Sequence, residues 1–147
     1  MQKQIPALPA GYSEEDLDRL CFHDCHVKAI SWQASKYEIV LHIDYIVEWI
    51  QPESPGAVFR FWICPAEIRF QNVDGARLQM DWKGGLPKCI IDGIIRGESR
   101  RAPTGVEESF WDIEFIEPAG SMSLWATGWK LVFTGSPVLS HSQTLEH

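Results

Sequence analysis

Apolar and polar positions alternate with a period of two along most of this chain, and the parity changes at a few places that divide it into strands. Tyr37, Ile39, Leu41 and Ile43 alternate with Glu38, Val40, His42 and Asp44, the pattern of a half-buried strand. With the apolar residues Ile30 and Trp32 before it and a turn over 33 to 36, this predicts an antiparallel hairpin of residues 26–32 and 37–44. Residues 44–50 either extend the second strand or form a short helix, and both alternatives bury Trp49 and Ile50. Pro52, Pro55 and Gly56 mark a loop. Phe59, Phe61 and Ile63 alternate up to Pro65, after which Ile68 and Phe70 take the opposite parity. A slip beside a proline predicts a bulge or a passage between sheets, because a one-residue shift otherwise turns the apolar set outward.

Asp74-Gly75 is a tight-turn signal, and Leu78, Met80 and Trp82 alternate after it, which predicts a hairpin with the preceding strand. Gly84, Gly85 and Pro87 end that segment, and Ile90 to Arg96 forms a further strand interrupted by Gly93. Residues 97–108 are charged and poor in apolar anchors, as in a long mobile loop. The last pair is Trp111, Ile113 and Phe115, a turn at Pro118-Ala119-Gly120, and Met122, Leu124 and Ala126. The parity changes again before Trp129, Leu131 and Phe133, which predicts a second bulge around Thr127 and Gly128. Ser13 followed by Glu14, Glu15 and Asp16 has the capping side chain and first-turn acids of a helix over about 13–20.

About seven or eight short strands and one short N-terminal helix predict an all-β, mainly antiparallel fold, either a two-sheet sandwich or a partly open barrel. Residues 1–12 read as a loosely ordered lead-in and 13–144 as one β-rich domain. Leu145-Glu146-His147 reads as the start of an expression tag.

The 147 residues suffice to bury a substantial core without a metal or disulfide. No apolar run has the length of a signal peptide or a membrane span, which places the chain in the cytoplasm, where Cys21, Cys25, Cys64 and Cys89 stay reduced. Thirteen basic against twenty acidic side chains give a formal charge of −7. That field disfavours nucleic acid and anionic lipid and favours a basic protein partner.

Two polar groupings carry candidate chemistry. Cys21-Phe22-His23-Asp24-Cys25-His26 holds four potential soft or borderline metal ligands within six residues but lacks the second knuckle of a structural zinc site. A helix-to-strand junction, with His23 and Asp24 bonding nearby backbone, is the plainer reading. His42 and Asp44 share a strand face and the hairpin could bring His26 beside them, so His23, His26, His42, Asp24 and Asp44 form the candidate metal or polar cluster. The competing account is the polar outer face of a strand. Asp112 and Glu114 form a carboxylate pair whose spacing alone gives no reason for a raised pKa. No phosphate loop, nucleophile elbow or zinc-protease motif is present, and no cofactor is implied. Seven tryptophans are the remaining unusual feature. Trp62 and Trp125 fall opposite their strands' apolar sets, which makes them candidate interface anchors.

Phe22-His23-Asp24, Ile43-Asp44-Tyr45-Ile46 with Trp49, Phe61-Trp62-Ile63-Cys64-Pro65-Ala66 leading to Phe70, and Pro137-Val138-Leu139-Ser140 together resemble a diffuse set of short bacterial proteins. Some of these are similar to immunity proteins of contact-dependent or polymorphic toxin systems. The resemblance implies a compact β-rich cytosolic protein that binds a partner such as a toxin, and it carries over no catalytic residue.

Overall fold

The computed structural model describes residues 4–83 and 88–145. The strand end read at Gly84, Gly85 and Pro87, and the tag residues Glu146 and His147, lie outside them. The fold is mostly antiparallel β. Its strands are β1 (Gly11–Ser13), β2 (His26–Gln33), β3 (Glu38–Ile50), β4 (Arg60–Gln71), β5 (Asp74–Met80), β6 (Ile90–Arg101), β7 (Glu107–Glu117), β8 (Gly120–Ala126), β9 (Gly128–Phe133) and β10 (Val138–Ser140). They form one open sheet in the order β1-β9-β4-β3-β2-β6-β7-β8-β5, with β10 beside β4. Among the described residues no helix is long and apolar enough to cross a membrane.

The sheet is folded on itself. A narrow seam joins its halves, where His26 pairs with Ile90, Val27 N–H donates to Cys89 O at 2.7 Å and Ile91 N–H to Cys25 O at 2.9 Å. At the opposite side the chain itself turns the corner. β4 runs on into β5 and β8 into β9, so the ribbon pairing Gln71 with Gly128 continues past the bend as Asp74 with Trp125. Thr127 N–H donates to Gln71 O at 2.9 Å, and the Asn72 amide donates to Thr127 Oγ1 at 2.8 Å. A Cβ on Gly128 would stand 2.3 Å from Gln71 Oε1, so any larger residue here would have to displace the end of the Gln71 side chain. The predicted bulge at Thr127 and Gly128 is this corner. The two inner faces enclose Leu41, Ile63, Ile68, Phe70, Ile91, Trp111, Ile113, Leu124, Trp129 and Leu131, all at most 2% exposed. Trp111 of β7 stacks on Trp129 of β9 across the layers.

Several sequence expectations are corrected. Gly11 and Tyr12, at the end of the expected loose lead-in, pair with β9 together with Ser13, and Tyr12 packs edge-on against Phe133. The helix over 13–20 is a 3₁₀ turn, Glu14–Arg19, in which Ser13 N–H donates to Asp16 Oδ2 at 3.0 Å. Residues 44–50 do extend β3, but Trp49 is 42% exposed while Ile50 is buried. The irregularity expected at Pro65 sits across the ladder, between Ile46 and Glu48 of β3. Pro65 itself lies where β4 exchanges β10 for β9, a gap in the ladder that tolerates a residue without N–H.

Asp74-Gly75 is not a hairpin turn. Gly75, at φ +62°, serves a bulge at the start of β5, whose partner is β8 rather than β4. As an edge strand β5 leaves Leu78 exposed, and Trp82 lies beyond its end with its indole N–H on Lys88 O at 2.6 Å. The long loop expected over 97–108 is mostly ladder, because Arg100 pairs with Glu108 and Arg101 with Glu107. Polar cross-strand contacts hold it: Arg100 Nε donates to Glu108 Oε1 at 2.7 Å and Arg96 Nε to Ser109 Oγ at 3.1 Å.

Candidate functional site

The structure does not gather the five residues of the candidate metal cluster into one ligand set. His26 and Asp44 are register partners, as the hairpin required. Asp44 is 1% exposed and already committed: it accepts Thr144 Oγ1–H at 2.6 Å and Leu145 N–H at 2.8 Å, with Lys28 Nζ 3.6 Å away. His26 Nδ1 lies 3.3 Å from Asp24 O, and its burial lowers its pKa. His42 belongs to a different group on the outer face of β2-β3-β4, with Nε2 2.8 Å from Ser31 Oγ and Nδ1 3.8 Å from Glu67 Oε1. Glu67 Oε2 is clamped by Arg69 through Nε and Nη2, at 2.9 and 2.6 Å. This series of hydroxyl, imidazole and carboxylate runs across three paired strands, with Arg69 holding its carboxylate end. Among the described residues no group of three His, Cys, Asp or Glu side chains is arranged to hold a metal.

All four cysteines are free thiols. Burial pushes the Cys25 and Cys89 thiols up to about 12 and raises Cys64 as well, the opposite of what a nucleophile needs.

Of the two interface candidates, Trp62 is not a surface anchor. It is 6% exposed, because the run Phe61–Cys64 is covered on both faces. Trp125 is half-buried on the outer face of the β6-β7-β8 layer, its ring 5.2 Å from that of Phe110, with the Arg100 guanidinium 3.8 Å above it.

That outer face contains the feature that sequence reasoning passed over. Register places Asp112 between Ile95 and Ser123, and Glu114 between Gly93 and Ser121. Residues paired across strands share a face, so two carboxylates stand side by side among small neighbours. The hydrogen bond with Asp112, then desolvation and the charges of Asp112 and Asp92, hold the Glu114 carboxyl above its ordinary pKa. The expectation that this pair has no reason for a raised pKa is thereby overturned. Ile95 at 58% and Ile116 at 44% exposure flank the carboxylates. His23 borders the same face, with Nδ1 3.1 Å from Asp92 Oδ1 and Nε2 3.5 Å from Asp24 Oδ1. The i, i+2 spacing of Asp112 and Glu114 was visible in the sequence, but their setting among exposed isoleucines depends on the register with β6.

No protein-family profile, no curated protein and no solved structure matches this chain.

Proposed function

We propose that this chain is a non-enzymatic protein-binding domain that engages a basic partner through the outer face of β6-β7-β8. The observation that carries the reading is the Asp112–Glu114 pair, two like charges held together between the exposed Ile95 and Ile116. Like-charge contact costs free energy in the free protein, and a lysine or arginine placed over the pair relieves it. The isoleucines supply apolar area beside the charges, with Trp125 and Phe110 at the margin as aromatic contacts. The formal charge of −7 steers a basic partner toward the domain. Neutralisation of a basic toxin, as in immunity proteins of polymorphic toxin systems, is the form of this function that the sequence resemblance favours.

The test is affinity capture from lysate of the source organism with wild type and with Asp112→Lys/Glu114→Lys in parallel. The expected result is a basic protein retained by wild type, released by salt and absent with the double variant. Identical recovery by both chains rejects the face. Growth rescue when the captured protein is co-expressed with wild type, but not with the variant, supports the immunity role.

A further inference from the structure

A second concave site lies at the far end of the β3-β4 ladder. The pairing of Ile50 with Arg60 brings the loop 51–59 over the start of β4, and the pairing of Ser140 with Phe61 brings His141 beside Arg60. The three segments enclose a cleft of about 510 Å³ lined by Gln51, Pro52, Glu53, Val58, Arg60 and His141, among others. That volume falls within the range of small-molecule sites, roughly 300–1,000 Å³.

The charges in this cleft are unusual for the molecule. Arg69, like Arg60 half-buried, is clamped by Glu67 and faces Glu38. Arg19, Arg96 and Arg100 each have a carboxylate as well. Among the described residues Arg60, Arg77 and Arg101 have no ion-pair partner, and of these Arg60 lines a cleft together with a carboxylate, Glu53, that is not paired with it or with any other cation. A guanidinium offers a planar fork for a carboxylate, and a carboxylate accepts from an ammonium. Pro52, Ala57 and Val58 supply apolar wall in the same cleft.

We infer that this cleft binds a small zwitterion of amino-acid type, its carboxylate on Arg60, its ammonium on Glu53 and its side chain against Pro52, Ala57 and Val58. The site is separate from the β6-β7-β8 face and stands or falls independently of the partner reading.

The test is a ¹⁵N-resolved NMR titration of the intact chain with L-valine, alongside isobutyrate and isobutylamine, each of which lacks one charge. Valine is expected to shift amides of residues 51–60 and 140–141 saturably, with each single-charge probe weaker. Arg60→Gln is expected to weaken valine binding about tenfold or more, the scale of one lost charge-assisted hydrogen bond. Arg77→Gln, an exposed arginine elsewhere, is expected to leave it unchanged. Both variants change surface or loop-end positions, and their amide spectra report folding directly. Absence of saturable shifts with valine, equal binding by isobutyrate, or binding undiminished in a folded Arg60→Gln overturns the assignment.

Discussion

The indole of Trp111 lies nearly parallel to that of Trp129, 13° between planes and 5.8 Å between centroids, and this contact joins the two layers of the folded sheet. Phe70 meets Trp111 edge-on at 5.8 Å and Phe22 meets Trp129 edge-on at 5.9 Å, so a row of four rings runs through the core. Truncating the middle of that row opens a cavity that rigid neighbouring strands cannot fill. Trp111→Ala is expected to cost about 3–5 kcal/mol in urea unfolding, whereas Trp32→Ala, at an exposed position, is expected to change stability by no more than about 0.5 kcal/mol. Similar losses for the two variants would refute the assignment of the core.

Asp44 fastens the segment after β10 to the first layer through its bonds to Thr144 and Leu145. Asp44→Ala leaves those two part-buried donors without their acceptor and removes the charge facing the Lys28 ammonium, which keeps its bond to Leu145 O. The expected loss is about 3 kcal/mol, with proteolysis of the last residues accelerated under native conditions. A metal role would instead appear as stabilisation of wild type by added zinc that the variant lacks; among the described residues the geometry gives no reason to expect it.

The raised pKa of Glu114 fixes a sign for the pH dependence. A carboxyl whose native pKa lies above its unfolded value binds more protons in the folded state between the two values. Its contribution to stability is fully present below the unfolded value and is lost as pH rises through the native one. Asp112→Asn removes the neighbouring charge, so the Glu114 carboxyl is expected to titrate closer to the ordinary glutamate value. A ¹³C NMR titration of the side-chain carboxyl reads this directly, and an unchanged midpoint would mean the two carboxylates do not interact.

Two glycines in strands answer different demands. A Cβ on Gly120 would lie 2.3 Å from the backbone oxygen of Gln79, whereas one on Gly93 would meet nothing within 4 Å. Gly120→Ala is expected to push β5 from β8 and raise amide exchange along Asp74–Met80. Gly93→Ala is expected to be neutral or stabilising by about 0.5 kcal/mol through the unfolded chain. Indistinguishable exchange profiles would show that β5 does not approach β8 this closely.

Strand positions were legible wherever apolar and polar residues alternate, as in Glu38 to Ile43 and Trp111 to Ala126, although Tyr37, read as the first apolar position of its strand, is exposed in the turn before β3, and Val40 and Asp44 on the polar face are buried. They were illegible where polar residues pair with each other. Arg96 to Arg101 and Glu107 to Ser109 resemble loop in composition, yet form a ladder stabilised by Arg100, Glu108 and the facing serines. For the candidate site, the hairpin correctly placed His26 opposite Asp44 but gave no sign that the chain's own residues 144 and 145 already satisfy that carboxylate. Such a contact spans a hundred residues and leaves no local pattern.

The sequence by itself determined an all-β, antiparallel domain, because period-two alternation is a local consequence of strand geometry. Only the tertiary structure decided that β4 runs into β5 across a corner instead of returning as a hairpin, that Trp62 is buried while Trp49 is exposed, and that Asp112 and Glu114 stand between two exposed isoleucines. Alternation tells a strand that it has two faces, but which strand lies beside it, and what covers each face, is settled by pairings between residues distant in the chain.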